Sequence, residues 1–238
     1  MNKISFIKRI SLIIKSFFKF WLYVFIASIL IIFFMRWINP IFSSIMFQRQ
    51  IEAFLDGEFK LISNSWIDYD EVSKYVPLAL IAAEDQNFPS HYGFDFEQIK
   101  KALKENFYRK RIRGASTISQ QLAKNLFLWE GKSFVRKGIE AYFTLLIETL
   151  WDKKRILEVY MNIIELGDMT FGVASASKIY LKRDASKLTS SQAALIASVL
   201  PNPKRFQIER PSGYVRARQS WVLRQMNLLG GLDYLKNL

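Results

Sequence analysis

Apolar residues recur every three to four positions along most of the chain from residue 45 onwards. Ile99, Leu103 and Phe107, for example, lie four residues apart and would share one face of a helix. Apolar and polar residues do not alternate over any long run, so a substantial sheet is not indicated. The pattern therefore predicts a mostly α-helical domain, with helices over 45–55, 77–84, 96–108, 153–166, 190–200 and 213–229.

Local signals mark where some of these helices begin. Pro77 is suited to the first turn of a helix, where a missing backbone N–H costs nothing. Thr189-Ser-Ser-Gln192 has the spacing of a capping box. Asn64-Ser65 predicts a turn. We interpret 39–75 as a connecting region and 76–238 as the domain.

The first part of the chain has a different pattern, with sixteen uncharged and mostly apolar residues from Phe20 to Met35. Flanking apolar residues extend this stretch to the roughly 20 that span a bilayer. The sequence after it, Arg36-Trp37-Ile38-Asn39-Pro40, lacks the small residues of a signal-peptide cleavage site. We therefore predict a membrane anchor over 20–38, with a cleaved signal peptide as the alternative.

Charge around the anchor predicts its orientation. The segment 1–19 contains basic residues and no acidic ones, so the positive-inside rule places it in the cytoplasm. The remainder would then lie outside, which is the periplasm if the cell has an outer membrane. These basic residues are Lys3, Lys8, Arg9, Lys15 and Lys19.

Composition narrows the classes of function. The net charge of +13 favours an anionic partner, and for a tethered extracytoplasmic domain lipid or phosphate is favoured over nucleic acid. The chain has no cysteine and one histidine, His91, so a zinc site or a Ser-His-Asp triad is poorly supported.

The segment Gly114–Asn125 combines a turn, a helix cap at Ser116 or Thr117 and several long polar side chains. A helix that begins here leaves backbone N–H groups free at its N-terminus. Thr117, Gln121 and Lys124 follow i, i+4, i+7 spacing and share one face. Such a face is suited to an anionic ligand, and an ordinary solvated helix face is the alternative.

Carboxylates and cations lie on either side of that segment. Glu84 ends an apolar helix, where it could serve as a general base or be an ordinary solvated helix end. Arg136 and Glu140 have the i, i+4 spacing of an ion pair. Between Lys100 and Arg113 seven cations surround the aromatic residues Phe107 and Tyr108, which suits an anionic bilayer surface, with a solvated charged face as the alternative. The cations are Lys100, Lys101, Lys104, Arg109, Lys110, Arg111 and Arg113.

Four ordered motifs give the chain a family resemblance. They are Glu-Asp-x-x-Phe-x-x-His-x-Gly at 84–93, Gly-x-Ser-Thr-Ile-x-Gln-Gln-Leu-x-Lys-Asn at 114–125, Arg-Lys-x-x-Glu at 136–140 and Lys-x-x-Ile-Leu-Glu-x-Tyr-x-Asn at 153–162. This set resembles the peptidoglycan glycosyltransferases, glycosyltransferase family 51, and most closely their monofunctional biosynthetic members. The resemblance implies a lysozyme-like, mostly helical domain with a small membrane-associated lobe, behind one transmembrane helix.

The resemblance also implies a reaction. The GlcNAc 4-hydroxyl of lipid II would attack MurNAc C1 of the growing chain, with inversion and release of undecaprenyl diphosphate. Glu84 matches the family's catalytic glutamate and Glu140 its second important one. No organic cofactor is expected, and a divalent cation, Mg²⁺ or Mn²⁺, is an expectation at the diphosphate. The substrate-binding residues implied are Asp85, Phe88, His91, Ser116, Thr117, Gln121, Lys124, Asn125, Lys132, Arg136 and Lys137.

The expected partners are lipid II, the nascent glycan chain and the membrane, with other cell-wall synthases or division proteins and without nucleic acid. The expected location is the bacterial inner membrane, crossed once, with the catalytic domain in the periplasm. Two alternatives remain. One is a membrane-anchored lytic transglycosylase or muramidase, and the other is a non-catalytic scaffold of wall synthesis.

Overall fold

The structure is a computed structural model that describes residues 3–108, 114–131 and 133–238, with side chains from residue 12 to 105 in the first range. The described part is mostly α-helical, as the spacing of apolar residues predicts. The chain divides into two compact units, Met1–Asn39 and Pro40–Leu238. The α-helices are α1 (Lys3–Phe34), α2 (Ser44–Leu55), α3 (Tyr75–Glu84), α4 (Phe96–Tyr108), α5 (Ile118–Phe127), α6 (Phe134–Leu150), α7 (Lys153–Ile163), α8 (Val173–Tyr180), α9 (Ser190–Val199) and α10 (Gly213–Leu228).

The first unit contains one long helix, α1. Its segment Leu12–Phe34 has 23 residues and a mean hydropathy of 2.3. At 1.5 Å per residue this segment is about 34 Å long, enough to cross the roughly 30 Å hydrocarbon layer of a bilayer. The helix ends at Phe34 rather than continuing to 38, so the extra length lies on its N-terminal side, past Lys19 and Lys15. A helix long and apolar enough to be a membrane anchor is therefore present.

The core of the second unit forms around α3. Residues 76–82 of this helix are buried all round, which explains why they include no charged or strongly polar side chain. Helix α3 packs against α9 and α10, and α5 packs against α6 and α7. Glu84, the last residue of α3, is the first acidic residue after this apolar run. The end of a core helix therefore positions it.

A small three-stranded sheet lies beside these helices, in the order β1 (Ser63–Asn64), β3 (Thr170–Phe171) and β2 (Glu165–Gly167). The turn predicted at Asn64-Ser65 is wrong at Asn64, which pairs with Phe171 in a parallel register. Helix α7 ends three residues before the predicted 166, because the chain enters β2 at Glu165. Strands of two or three residues that pair across distant parts of the chain produce no alternating pattern in the sequence.

Helix starts follow local chemistry. Thr189 and Gln192 form the predicted capping box, and Thr117 forms another with Gln120. Helix α3 begins at Tyr75, so Pro77 is the third residue of its first turn rather than the first. The predicted connecting region 39–75 contains α2 and β1, and α2 packs against α5 within the second unit.

Candidate active site

Both oxygens of the Glu84 carboxylate accept hydrogen bonds from residues distant in the sequence. Gln121 Nε2, on α5, donates to Oε2 at 3.0 Å. Arg218 Nη2, on α10, donates to Oε1 at 3.1 Å and forms an ion pair with it. Three helices therefore meet at this carboxylate. Because the side chains of Glu84 and Arg218 are 16% and 21% exposed, the pair is largely screened from bulk water.

Burial raises the pKa of Glu84 above its ordinary value. The hydrogen bond from Gln121 and the positive charge and hydrogen bond of Arg218 act in the opposite direction, and the charge of Asp85 adds to the increase. A carboxylate whose pKa is raised is a stronger base when it is ionised, and general bases work best when their pKa lies near the operating pH. The site therefore provides a proton acceptor.

Tyr160 fixes the orientation of Gln121. Its hydroxyl donates to Gln121 Oε1 at 2.8 Å, and the side chain has no exposed surface. Because the amide oxygen accepts from Tyr160, the amide nitrogen turns toward Glu84 and donates to it. Burial, with the nearby charges of Glu84 and Asp85, raises the pKa of Tyr160 well above its ordinary value, so its hydroxyl stays protonated. This chain of hydrogen bonds aims a donor at Glu84.

The N-terminus of α5 binds an anion, and that anion is Asp85. Its Oδ2 accepts from the Ile118 backbone N–H at 2.9 Å, and His91 Nε2 lies 2.9 Å from Oδ1. The sequence predicted that the backbone N–H groups at the start of α5 would face a ligand, but at least one of them is hydrogen-bonded to Asp85 within the protein. Asp85 and His91 join the end of α3 to the start of α5, which positions Glu84 relative to Gln121.

Two further predicted residues are buried beneath this arrangement. Phe88 has no exposed surface, and the Lys153 ammonium lies 4.5 Å from its ring centroid. Thr117 is 3% exposed, and its hydroxyl donates to the Gly93 carbonyl at 2.7 Å. The structure thus places Phe88 in a packing position, whereas Thr117 caps α5 at the wall of the cavity that Glu84 lines. Ser116, in contrast, is exposed.

Two cavities lie on either side of the Glu84–Gln121 contact. One, of about 250 Å³, is lined by Glu84, Asp85 and Ser116. The other, of about 300 Å³, is lined by Gln121 and by two more residues of α5, Lys124 and Asn125. The two cavities differ in charge. The first is lined by three carboxylates and one cation, and the second by three cations and two carboxylates. One group can therefore approach Glu84 directly and another can approach Gln121, which contacts Glu84.

Lys124 lies within the electric field of several other charges. Burial lowers the pKa of Lys124; the charges of Glu140 and Glu130 act against this, and those of Arg136 and Lys137 reinforce it. A desolvated ammonium that is surrounded by other cations is suited to a multiply charged anion. The charge pattern around α5 therefore favours a phosphate-bearing ligand.

The two cations of α6 are held by Glu140, which is 2% exposed. Arg136 Nη1 donates to Glu140 Oε2 at 2.9 Å, and the Lys137 ammonium contacts Oε1. Arg136 Nε also donates to the Gly131 carbonyl at 2.9 Å, which fixes the guanidinium further. Glu140 thus orients both cations, and its pair with Arg136 is the one that the i, i+4 spacing predicted. The remaining predicted cation, Lys132, lies outside the described residues.

The acidic side chains here do not fit a metal held by the protein alone. Within residues 3–108, 114–131 and 133–238, no three His, Asp or Glu side chains come together in a metal-binding group. Both oxygens of Glu140 are bound by cations, and Glu130 is bound by Arg49. Mg²⁺ and Mn²⁺ prefer carboxylates and substrate phosphates as ligands. A metal at this site would therefore need the oxygens of a substrate diphosphate as ligands.

Sequence reasoning missed Arg218 as a site residue. The spacing of Val215, Val222 and Met226, all buried, defines the packed face of α10, and Arg218 lies three residues after Val215 on that same face. A cation on a packed helix face needs a buried partner. The position of Arg218 on this face could have predicted a buried partner, but the sequence does not reveal that the partner is Glu84.

Comparison with known proteins agrees with this geometry. The family model described as Transglycosylase matches residues 52–227. Proteins named "Biosynthetic peptidoglycan transglycosylase" from Escherichia coli strain K12, Escherichia coli O139:H28 and Shigella dysenteriae serotype 1 are each 58% identical over 197 residues. In each case the match covers 82% of this chain and 81% of the relative. The chain therefore belongs to the transglycosylase family, whose members named here are peptidoglycan glycosyltransferases.

Proposed function

We propose that this peptidoglycan glycosyltransferase polymerises lipid II into linear glycan strands. The observation that carries the proposal is the Glu84 carboxylate, which accepts hydrogen bonds from Gln121 and Arg218 and lines one cavity, while Gln121 lines the other. Attack by a sugar hydroxyl on an anomeric carbon needs a base at hydrogen-bond distance from that hydroxyl. Glu84 would take the proton of the GlcNAc 4-hydroxyl as it attacks MurNAc C1 of the growing chain, with inversion of the α-linked donor to a β-1,4 linkage.

The charges of the two cavities suggest which substrate occupies each. The leaving group, undecaprenyl diphosphate, is an anion, so it needs positive charge more than it needs a proton. Lys124 lies on one side of Gln121, with Arg136 and Lys137 close enough to affect its pKa. We assign the donor diphosphate to this side and the accepting sugar to the cavity lined by Glu84 and Ser116. A Mg²⁺ or Mn²⁺ requirement would then arise from the diphosphate oxygens of the substrate.

The test is polymerisation of purified lipid II by the full-length chain in detergent. The wild-type protein should release undecaprenyl diphosphate and form polymer. Glu84→Gln should abolish both in a protein that circular dichroism shows to be folded, because the amide keeps the shape but loses the base. Glu71→Gln is the control, since Glu71 is exposed. Turnover of preformed glycan without polymerisation would contradict the proposal, and full activity of Glu84→Gln would contradict the assignment of the base.

We also propose the topology of the anchor, with the N-terminus in the cytoplasm and the catalytic domain in the periplasm, at the bacterial inner membrane. The length of Leu12–Phe34 supports a membrane anchor. The basic residues of the segment 1–19 support this orientation. Because the chain has no cysteine, single cysteines introduced at chosen positions can show on which side of the membrane each position lies. An impermeant maleimide should label Ser186→Cys in intact spheroplasts and Asn2→Cys only after permeabilisation. The reverse result would invert the topology.

A membrane-associated lobe is supported by exposed apolar side chains around α4 and α6. Phe96, Leu103 and Phe134 are 76%, 68% and 99% exposed. Lys100, Lys101 and Lys104 of α4 are also exposed, whereas the basic residues 109–113 lie outside the described ranges. Apolar and basic side chains together suit the surface of an anionic bilayer that contains lipid II. Other cell-wall synthases and division proteins remain predicted partners of the anchored chain.

A further inference from the structure

We propose that Arg218 is a positioning residue that holds Glu84 ionised and aimed at the acceptor hydroxyl. The inference rests on the proposed function, because it concerns the same base. Arg218 lies outside the four motifs at 84–93, 114–125, 136–140 and 153–162. Its role is read from the contacts of α10 with the site.

The fold delivers Arg218 to Glu84 by packing. Helix α10 packs against α3 and α9, and it is fixed by the buried side chains of Val215, Val222 and Met226. Arg218 lies between these positions on the packed face, and its Nη2 reaches Glu84 Oε1 at 3.1 Å. The guanidinium carbon lies 5.7 Å from the centroid of the Trp221 ring, one turn further along α10. The guanidinium is thus held in place before any substrate binds.

The ion pair with Glu84 explains why an arginine occupies this position on the packed face of α10. Arg218 Nε is buried and has no hydrogen-bond partner in the described part of the chain. An arginine on a packed face loses hydration, and here the ion pair with Glu84 offsets that loss. If this position served stability alone, an apolar residue would serve it as well as or better than an arginine. We therefore assign to Arg218 an effect on the charge state of the Glu84 carboxylate.

The two donors to Glu84 do different things. Gln121 is neutral and orients Oε2, whereas Arg218 brings a full positive charge to Oε1. An opposite charge within about 4–6 Å lowers the pKa of a carboxyl by about one to three units. Without Arg218 the burial of Glu84 would be opposed by Gln121 alone, and a larger fraction of Glu84 would be protonated at neutral pH. A protonated Glu84 cannot accept the proton of the attacking hydroxyl.

Other charged and titratable groups face the same region and remain in place when Arg218 is changed. Asp85, adjacent on the chain, adds to the increase in the pKa of Glu84, and Tyr160 is held protonated. Tyr234, in the segment Gly231–Asn237 that also packs on α3, donates its hydroxyl to the Gln86 carbonyl. The further groups are His91 paired with Asp85, Lys124 on α5, and Asp95 and Lys101, which line the cavity that Glu84 lines.

The experiment is the pH dependence of lipid II polymerisation by Arg218→Gln, Arg218→Lys and Arg216→Gln. Arg216 lies on the same helix but is exposed, so its substitution removes the same charge from outside the site. Each variant is first compared with the wild type in thermal unfolding and circular dichroism. Initial rates at low lipid II concentration then give kcat/KM from acidic to alkaline pH.

We expect the acidic limb of the Arg218→Gln profile to move up by about one pH unit or more, with a loss of at least about fivefold at the pH of the wild-type midpoint that recovers at higher pH. Arg218→Lys should move it much less, and Arg216→Gln should leave it unmoved. An equal loss at every pH would overturn the inference and make Arg218 a packing or substrate-contact residue. A wild-type chain that does not polymerise lipid II would instead refute the proposed function, so the two failures are distinguishable.

Discussion

Removing the Tyr160 hydroxyl tests whether the orientation of Gln121 matters to the base. In Tyr160→Phe the ring and its packing remain, and only the 2.8 Å hydrogen bond to Gln121 Oε1 is lost. The amide can then rotate and present its oxygen, rather than its nitrogen, to the Glu84 carboxylate. Two acceptors would then face each other, which disfavours the ionised form of Glu84.

The magnitude follows from burial. Tyr160 has no exposed surface, so Gln121 Oε1 loses a partner that water does not readily replace. An unsatisfied buried acceptor costs about 1–3 kcal/mol. If about 1–2 kcal/mol of this appears in the transition state, kcat falls roughly 5- to 30-fold. The pKa of Glu84 should also rise, because the Gln121 hydrogen bond lowers it, so the acidic limb moves to higher pH.

The assay is lipid II polymerisation with kcat and KM determined separately across pH. Tyr180→Phe is the matched control, because its hydroxyl donates to Thr170 at 3.0 Å in the small sheet and has no contact with Glu84. KM should change little, since the Tyr160 hydroxyl is engaged by Gln121 and its side chain has no exposed surface. A Tyr160→Phe enzyme whose kcat and acidic limb both match those of Tyr180→Phe would refute the idea that this hydrogen-bond chain orients the base.

Three further outcomes are expected. Lys124→Met should lower kcat by about 30- to 1,000-fold, the effect of removing a preorganised charge of 2–4 kcal/mol, and single-turnover release of undecaprenyl diphosphate measures it. Glu140→Gln removes a charge that raises the pKa of Lys124, so the alkaline limb of the pH–rate profile should move to lower pH. Lys153→Met leaves the buried Glu148 without its cation at 2.8 Å and should lower the free energy of unfolding by about 3–5 kcal/mol in chemical denaturation, whereas Lys154→Met, at an exposed position, should not.

Helices were predictable because their signal is local. The spacing of apolar residues indicates α4 at 96–108 and α10 to within one residue, and the Thr189 capping box marks the start of α9. The small sheet was not predictable, since it pairs Ser63 with Thr170 through backbone groups that every residue carries. Two-residue strands have too few side chains to show alternation. Contacts of this kind depend on tertiary packing rather than on local pattern.

The candidate site divides in the same way. The position of Glu84 at the end of an apolar helix is visible in the sequence, and so is the i, i+4 pair of Arg136 and Glu140. The contact between Glu84 and Arg218 spans 134 residues and requires the packing of α10 on α3. The burial of Phe88 was also hidden, because an aromatic residue in a motif looks the same whether it contacts a sugar or supports the site from below.

The charged groups around Glu84 separate synthesis of glycan from its cleavage. A cleaving enzyme must protonate a sugar oxygen as it leaves, so it needs a carboxyl that burial keeps protonated. Burial raises the pKa of Glu84 in that direction, whereas Gln121 and Arg218 each donate to one of its oxygens and act against the increase. The Lys124 ammonium, on the far side of Gln121, offers charge to a departing anion rather than a proton to a sugar. An anion site beside the base suits the joining of two substrates with departure of a diphosphate, whereas cleavage of a glycan releases no phosphate anion.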